Sequence, residues 1–384
     1  MTVPGFSSTG SKRPEALFGI SAGMPSRMVR AEGCRVWDVD GREYLDTVMA
    51  LGAVALGYGH PAVVAAVERA ARDGAVGSLA PLLEVEVAER LIAVVPGAEA
   101  VRFFKTGAEA VAAAIRIARV YTGHERVITC GYHGWLDWCQ DAPGVPQGVR
   151  SLRRAVPFND LEALHDALQV FEPVAAVVIE PVVDVAPTET FLRGARDAAT
   201  RHGSVLIFDE IKTAFRIAVG GIAEQSGITP DLSVVGKALG NGLPIAAVCG
   251  GSALMDAVTR TWVSSTLATE LTGLAAARAV LETFEKERVV DRLAHLGRIF
   301  HDDLRDLATR FPGLIKTVLG LPQMCYLAFV DDASGAAVAR GAAQRGLLFK
   351  RTAYNFISLA HDEVILKTVA QRLAHALEEV KRSC

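Results

Sequence analysis

Along this chain, short apolar runs rich in β-branched residues alternate with longer segments whose apolar residues recur at helical spacing. The runs are VRFF (101–104), RVITC (126–130), VAAVVIE (174–180), SVLIFDE (204–210), LSVVG (232–236) and AAVCG (246–250). Strands separated by helices predict a mostly parallel sheet, because parallel neighbours need a crossover connection. Between the first two runs, Val111, Ala114, Ile115, Ala118 and Tyr121 share one helical face, with Glu109, Arg116 and Arg119 elsewhere. That pattern predicts a crossover helix lying on the sheet. Beyond residue 280 the pattern changes. An amphipathic stretch from Glu285 to Phe311 (Val289, Leu293, Leu296, Phe300, Leu304) is followed by short strands and a last helix carrying Leu366, Val369, Leu373 and Leu377. Upstream, the Asp-Gly turn in WDVDGR (37–42) predicts a hairpin over 35–46. The expected organisation is therefore α/β: an N-terminal segment (1–50) that packs with a small α+β domain (281–384), and a large domain over 51–280. There is no internal repeat.

Composition narrows the function classes. With 384 residues, 51% apolar and 22% charged, the chain can bury a large core. Its net charge of −3 is not gathered into basic stripes, so neither nucleic acid nor an anionic membrane is the expected partner. A small molecule is. The six cysteines (Cys34, Cys130, Cys139, Cys249, Cys325, Cys384) contain no C-x-x-C pair. No metal site or disulfide framework is expected, and a reducing cytoplasm fits. Met1 to Pro14 lacks the apolar centre of a signal peptide, and the longest apolar runs are far too short to span a bilayer.

The candidate chemistry lies at strand ends, because ligands of open α/β sheets sit outside the carboxyl ends of the strands. The apolar run IF (207–208) ends in Asp209, which alone could be no more than a helix cap. LSVVG (232–236) delivers Lys237 into a Gly-rich turn, and a desolvated lysine makes a good nucleophile. Together the two fit pyridoxal phosphate, which needs an amine for its aldehyde and a carboxylate against its ring nitrogen. Lys212 is too near Asp209 to reach across such a ring, and Lys105 precedes a turn suited to phosphate. That turn, Thr106-Gly107-Ala108-Glu109, opens the crossover helix and presents N–H groups to the same sheet edge, although Thr106 and Glu109 are also an ordinary capping box. Tyr132, in the YHGW segment after Cys130, stands where an aromatic could stack on a flat ring; His133 and Trp135 read equally well as packing anchors.

These residues resemble the class III pyridoxal-phosphate aminotransferases of fold type I, and within them the group like glutamate-1-semialdehyde aminomutase. The likeness spans nearly the whole chain, through VWDVDGREYLD (36–46), LGYGHPAVVAAV (56–67), VRFFKTGAEAVAAAIRIARVYTG (101–123), GYHGWLDW (131–138), LIFDEIKTAFR (206–216), GITPDLSVVGKALGNGLPIAAVCG (227–250) and SSTLATELTGLAAARAVL (264–281). The resemblance implies that Lys237 carries the cofactor as a Schiff base and Asp209 pairs with the pyridine nitrogen. Ile211 and Tyr132 would cover the two ring faces, and Thr106, Gly107 and Ala108 would bind the phosphate. Thr266 resembles the residue this family lends to phosphate across a dimer interface, which implies a homodimer with shared sites. Glu180 would stand behind the site.

Three features depart from the family pattern. Ala108 stands where a serine is usual and offers only its N–H, Ala214 replaces a glycine, and the stretch from Cys139 to Arg150 is short for a gating loop. Arg216, Lys350 and Arg351 are each open between substrate binding and structure. The expected activity is intermolecular transfer of an amino group between an amine donor and a small carbonyl acceptor, by ping-pong kinetics. The alternatives are an aminomutase, a racemase, or a fold relative that binds ligand without catalysis. A nucleotide-binding Rossmann protein fits poorly, since no G-x-G-x-x-G follows the first strand.

Overall fold

A computed structural model describes residues 2–383; Met1 and Cys384, the last of the six cysteines, lie outside the described residues. The chain divides into two compact units, Pro61–Val290 and a second made of residues up to His60 together with those from Asp291 onward. The divisions fall about ten residues beyond the expected 50 and 280. At the second, the reason is local: the helix Leu271–Lys286 is continuous across residue 280 and packs along the helix Pro61–Arg72.

The N-terminal part of the composite unit holds β1 (Met28–Glu32), β2 (Arg35–Asp38) and β3 (Glu43–Asp46), paired antiparallel in that order. The predicted hairpin is β2–β3. Its turn is fixed by Asp38, whose Oδ1 accepts from the N–H groups of Asp40 (3.0 Å) and Arg42 (2.9 Å), while Oδ2 accepts from the Tyr44 hydroxyl at 2.8 Å. Gly41 takes the left-handed φ of 76° that the turn requires. The additional edge strand β1 was not anticipated: its residues are mostly exposed and carry no alternating pattern.

The large unit is built on seven strands: β4 (Ala100–Phe104), β5 (Arg126–Cys130), β6 (Arg153–Ala155), β7 (Val174–Ile179), β8 (Val205–Asp209), β9 (Leu232–Val235) and β10 (Ala246–Gly250). Their spatial order is β4-β10-β9-β8-β7-β5-β6. β10 runs antiparallel to both neighbours and the other pairings are parallel. The carboxyl ends of β4, β5, β7, β8 and β9 therefore share one edge. All six residues of β7 are buried, as expected for a strand covered on both faces. Strand β6, only three residues long and reading Arg-Arg-Ala, gave no apolar signal.

The crossover helix Gly107–Thr122 begins at a complete capping box between Thr106 and Glu109 and ends at Gly123, left-handed at φ 72°. Val111, Ala114, Ile115 and Ala118 are buried in the sheet-facing core, but Tyr121 is exposed. In the last turn Val120 still packs against the core while Tyr121 is exposed, so helical spacing there does not report burial.

The C-terminal part of the composite unit contains β11 (Ile315–Leu321), β12 (Met324–Phe329), β13 (Leu347–Leu348) and β14 (Asn355–Phe356). β11, β12 and β14 form an antiparallel sheet, whereas β13 pairs parallel to β3 and completes the N-terminal sheet. The stretch predicted as one amphipathic segment from Glu285 is two helices. Glu287 is extended (φ −122°, ψ 147°), which ends Leu271–Lys286 before Val289–Arg310 begins. Both sides of the break keep the same apolar spacing, so periodicity alone does not reveal it. Val289, Leu293, Leu296, Phe300 and Leu304 are buried. So are Leu366, Val369, Leu373 and Leu377 of the last helix, Glu363–Ser383. Among the described residues, no helix is long and apolar enough to cross a membrane.

Candidate active site

The shared edge of the large sheet gathers most of the singled-out residues. Asp209 is the last residue of β8, opposite Val234 of β9, and Lys237 follows β9 after Gly236. Lys237 sits at the start of a tight helical turn, Lys237–Gly240, with φ 45°. A left-handed φ in a residue with a long side chain is strained, and such strain persists where the surroundings hold the residue for a purpose. Lys237 is half-buried as a residue, and desolvation of its amine, aided by the positive charge of Lys212, lowers its pKa to about 8. A lysine so placed is a usable nucleophile near neutral pH.

Asp209 is buried and held on two sides. Its Oδ2 pairs with His133 Nδ1 at 2.8 Å, and its Oδ1 accepts from the Ile211 N–H at 3.3 Å. His133 is itself enclosed and stacked near Trp138, with ring centroids 6.1 Å apart. The sequence left His133 as a packing anchor, yet it is the residue that orients the carboxylate. No local pattern signals this, because the partner carboxylate lies 76 residues further along the chain.

Ile211 joins the turn and the lysine. A Cβ on Gly107 would lie 2.8 Å from Ile211 Cδ1, and one on Gly236 would lie 3.0 Å from the same atom. The absence of side chains at both glycines lets the phosphate-type turn, Ile211 and the lysine strand close on one another. At the turn, Glu109 N–H donates to Thr106 Oγ1 at 3.2 Å, and Glu109 Oε2 accepts from Thr106 N at 2.9 Å. The N–H groups of Gly107 and Ala108 have no protein acceptor among the described residues. Thr106 is exposed, with its hydroxyl engaged in the cap. Ala108 is reached from the other side by Gly134, whose Cβ would stand 2.8 Å from that of Ala108.

Tyr132 is 65% exposed and tied by its N–H to Glu180 Oε2 at 3.0 Å. Glu180 follows β7 directly and also pairs with Lys212. Of the other two lysines weighed, Lys212 is thus held by Glu180, and Lys105 by Glu270 Oε2 at 3.0 Å. Glu270 in turn caps the helix Leu271–Lys286, accepting from Thr272 N (2.6 Å) and Gly273 N (3.1 Å). Burial opposes its ionisation, but these bonds and Lys105 prevail and hold it at about 2. Since the folded pKa lies below the ordinary carboxylate value, its stabilisation is present above about pH 4.5 and is lost as pH falls toward about 2. Glu270→Ala is expected to cost about 1–2 kcal/mol at neutral pH, with a smaller difference at about pH 3, checked by urea unfolding at both.

Thr266 is not brought into this cluster; it lies exposed in the turn 266–269. Ala214 is accommodated because the left-handed backbone falls on its neighbour, Phe215, at φ 58°. Arg216 is fully enclosed, so no substrate carboxylate reaches it in this structure. Lys350 is buried in the composite unit, and Arg351 there pairs with Asp332.

Residues 21–380 match the aminotransferase class-III family. The chain is a class III aminotransferase. Curated relatives of this aminotransferase include proteins named glutamate-1-semialdehyde 2,1-aminomutase. That of Symbiobacterium thermophilum is 39% identical over 71% of this chain and 69% of its own length. That of Rhodopirellula baltica is 35% identical over 83% and 78%. Among solved structures, the pyridoxal-phosphate internal aldimine form of the FumI protein of Sphingopyxis sp. MTA144 superposes at a TM-score of 0.91, with 27% identity over 96% of this chain and 92% of that one. An omega-transaminase from Sphaerobacter thermophilus superposes at 0.89, with 26% identity over 99% and 95%.

Pyridoxal phosphate is the cofactor of this aminotransferase. The residues present fit it. The donor set contains an amine of lowered pKa, a buried and oriented carboxylate, and two N–H groups without protein acceptors at a helix N-terminus.

Proposed function

We propose that this aminotransferase moves an amino group from a small amine donor to a separate carbonyl acceptor by ping-pong kinetics, with Lys237 as the reacting lysine. In this reading Lys237 holds the cofactor and Asp209 faces its ring nitrogen. Ile211 and Tyr132 cover the ring, and the N–H groups of Gly107 and Ala108, with Thr106, hold its phosphate. Bound pyridoxal phosphate supplies a sink for the electrons left when a proton departs from the carbon bearing the amine. The protein does the rest. Lys237 Nζ takes and returns that proton, Asp209 holds a proton on the ring nitrogen, and His133 keeps Asp209 in place.

Transfer between two molecules, rather than within one, is supported by the segment 139–150. It is tied to itself and to its surroundings instead of forming a free lid. Gln140 Nε2 donates to Gly134 O at 2.5 Å, Arg150 Nε donates to Val145 O at 2.9 Å, and Arg153 pairs with Asp141. An aminomutase must retain its intermediate between two half-reactions, and a fixed, short segment is poorly suited to that task. The second reading, an aminomutase, draws on the names of the relatives; a racemase is the third. Product analysis separates them. Holoenzyme given an amine donor and no acceptor should stop after one equivalent of carbonyl product, and a keto acid or aldehyde should restart it. Continued isomerisation or racemisation without acceptor overturns the proposal.

A homodimer with shared sites is part of this reading. Leu79, Leu82, Trp135, Trp262 and Leu267 of the large unit are exposed, and large apolar side chains left in water are candidates for burial against a second copy. Thr266 directly precedes Leu267 in the chain. A cytoplasmic, biosynthetic role completes the proposal.

A further inference from the structure

Lys105 stands where three parts of the large unit meet. It follows β4 directly and precedes Thr106, the first residue of the turn proposed to hold phosphate. Its backbone is fixed by Glu109, whose Oε2 accepts from Lys105 N at 3.3 Å and from Thr106 N at 2.9 Å. Its amine donates to two oxygens of Glu270, Oε2 at 3.0 Å and the backbone carbonyl at 3.5 Å, and both side chains are mostly buried. The same carboxylate caps the helix Leu271–Lys286. Gly273, in the first turn of that helix, makes the approach possible: a Cβ there would lie 3.0 Å from Lys105 Nζ and 2.7 Å from the carbonyl oxygen of Pro244. Pro244 lies in the loop between Lys237 and β10. Lys105 could serve the phosphate in two ways. As a direct cation it would have Glu270 as a competitor; as a strut behind the turn it has Glu270 as its anchor. The two contacts to Glu270 favour the strut.

We infer that Lys105 and Glu270 are positioning residues for the cofactor phosphate: their ion pair ties the residue in front of the 106–108 turn to the capped start of a long helix, and so holds the Gly107 and Ala108 N–H groups ready for the phosphate. This rests on the reading that the turn binds that phosphate. A turn fixed before the ligand arrives loses less freedom on capturing it, and the affinity rises accordingly. Because the pair is mostly buried, salt screens it little.

The test is titration of the full-length protein, stripped of cofactor, with pyridoxal phosphate and in parallel with pyridoxal, which lacks the phosphate, followed by visible absorbance. Wild type should bind pyridoxal phosphate far more tightly than pyridoxal. Lys105→Met should weaken pyridoxal phosphate binding by about tenfold, the size expected when a charge-assisted hydrogen bond behind a binding group is lost, and leave the affinity for pyridoxal unchanged. Glu270→Gln, which keeps an acceptor for the helix cap, should weaken pyridoxal phosphate binding in the same sense. Lys105→Arg retains the pair and should retain the wild-type affinity. Tighter pyridoxal phosphate binding by Glu270→Gln would make Lys105 a direct cation for the phosphate and overturn the inference. Equal losses for the two ligands would mean a general loosening of the site and overturn it as well, as would unchanged pyridoxal phosphate affinity in a folded Lys105→Met protein; Lys105→Gln serves where the Met variant does not fold. A wild-type protein that binds the two ligands equally would instead remove the assignment of the turn to phosphate.

Discussion

Lys237→Ala should abolish transamination, with the turnover rate lower by about 10⁴-fold or more, because the substitution removes the covalent anchor and the proton-transfer base together. Loss of a positioned general base alone costs up to about 10⁴-fold. The fold should survive. Lys237 lies at the strained start of a tight turn, φ 45°, and relief of its burial cost offsets the lost contacts. Replacement by alanine keeps the left-handed strain, so stability should change little in either direction. Measurement requires the overall rate with donor and acceptor, the visible absorbance that pyridoxal phosphate acquires on covalent attachment to a lysine amine, and a urea midpoint. Retained turnover, or an unchanged visible band, would remove Lys237 from the centre of the site.

The parts of the site legible in the sequence are those carried by strand ends. In a mostly parallel sheet, apolar runs such as VLIFD (205–209) and LSVV (232–235) stop where the chain leaves the core. The polar residue after the run then falls at the ligand edge. Lys237, Asp209 and the turn at 106–108 could be placed in this way. His133 could not, because its function depends on a contact 76 residues away in sequence. Local pattern records only that an aromatic loop follows β5. The same limit hid the fork at Glu180, whose two oxygens meet residues from different loops, Tyr132 and Lys212. In the fold, short or exposed strands escaped for a related reason: β1 and β6 bury too little to leave an alternating pattern. Thr266 illustrates a different boundary. Its exposed turn has no marker within a single chain, and its proposed work belongs to the dimer.

Asp209→Asn should lower kcat by about 10²–10³-fold, the size of effect seen when a preorganised charge partner is removed from developing charge. Asparagine keeps the shape and can still accept from Ile211 N–H, but a neutral amide cannot hold a proton on the pyridine nitrogen. His133→Phe removes a charge-assisted hydrogen bond of 2.8 Å to Asp209 while keeping a ring near Trp138. Such bonds contribute about 1.5–3 kcal/mol, so about 10–100-fold in rate is expected. The informative case is the double variant. Because His133 has its effect through Asp209, the loss in Asp209→Asn/His133→Phe should be close to that of Asp209→Asn alone, well short of the product of the two single effects. Multiplicative losses would mean that His133 acts on the cofactor or substrate by a separate route. Equal rates for wild type and Asp209→Asn would mean that the carboxylate does not face the ring nitrogen at all. The far-ultraviolet spectrum and urea midpoint of each variant distinguish these outcomes from a loss of fold, since His133 and Asp209 are both buried.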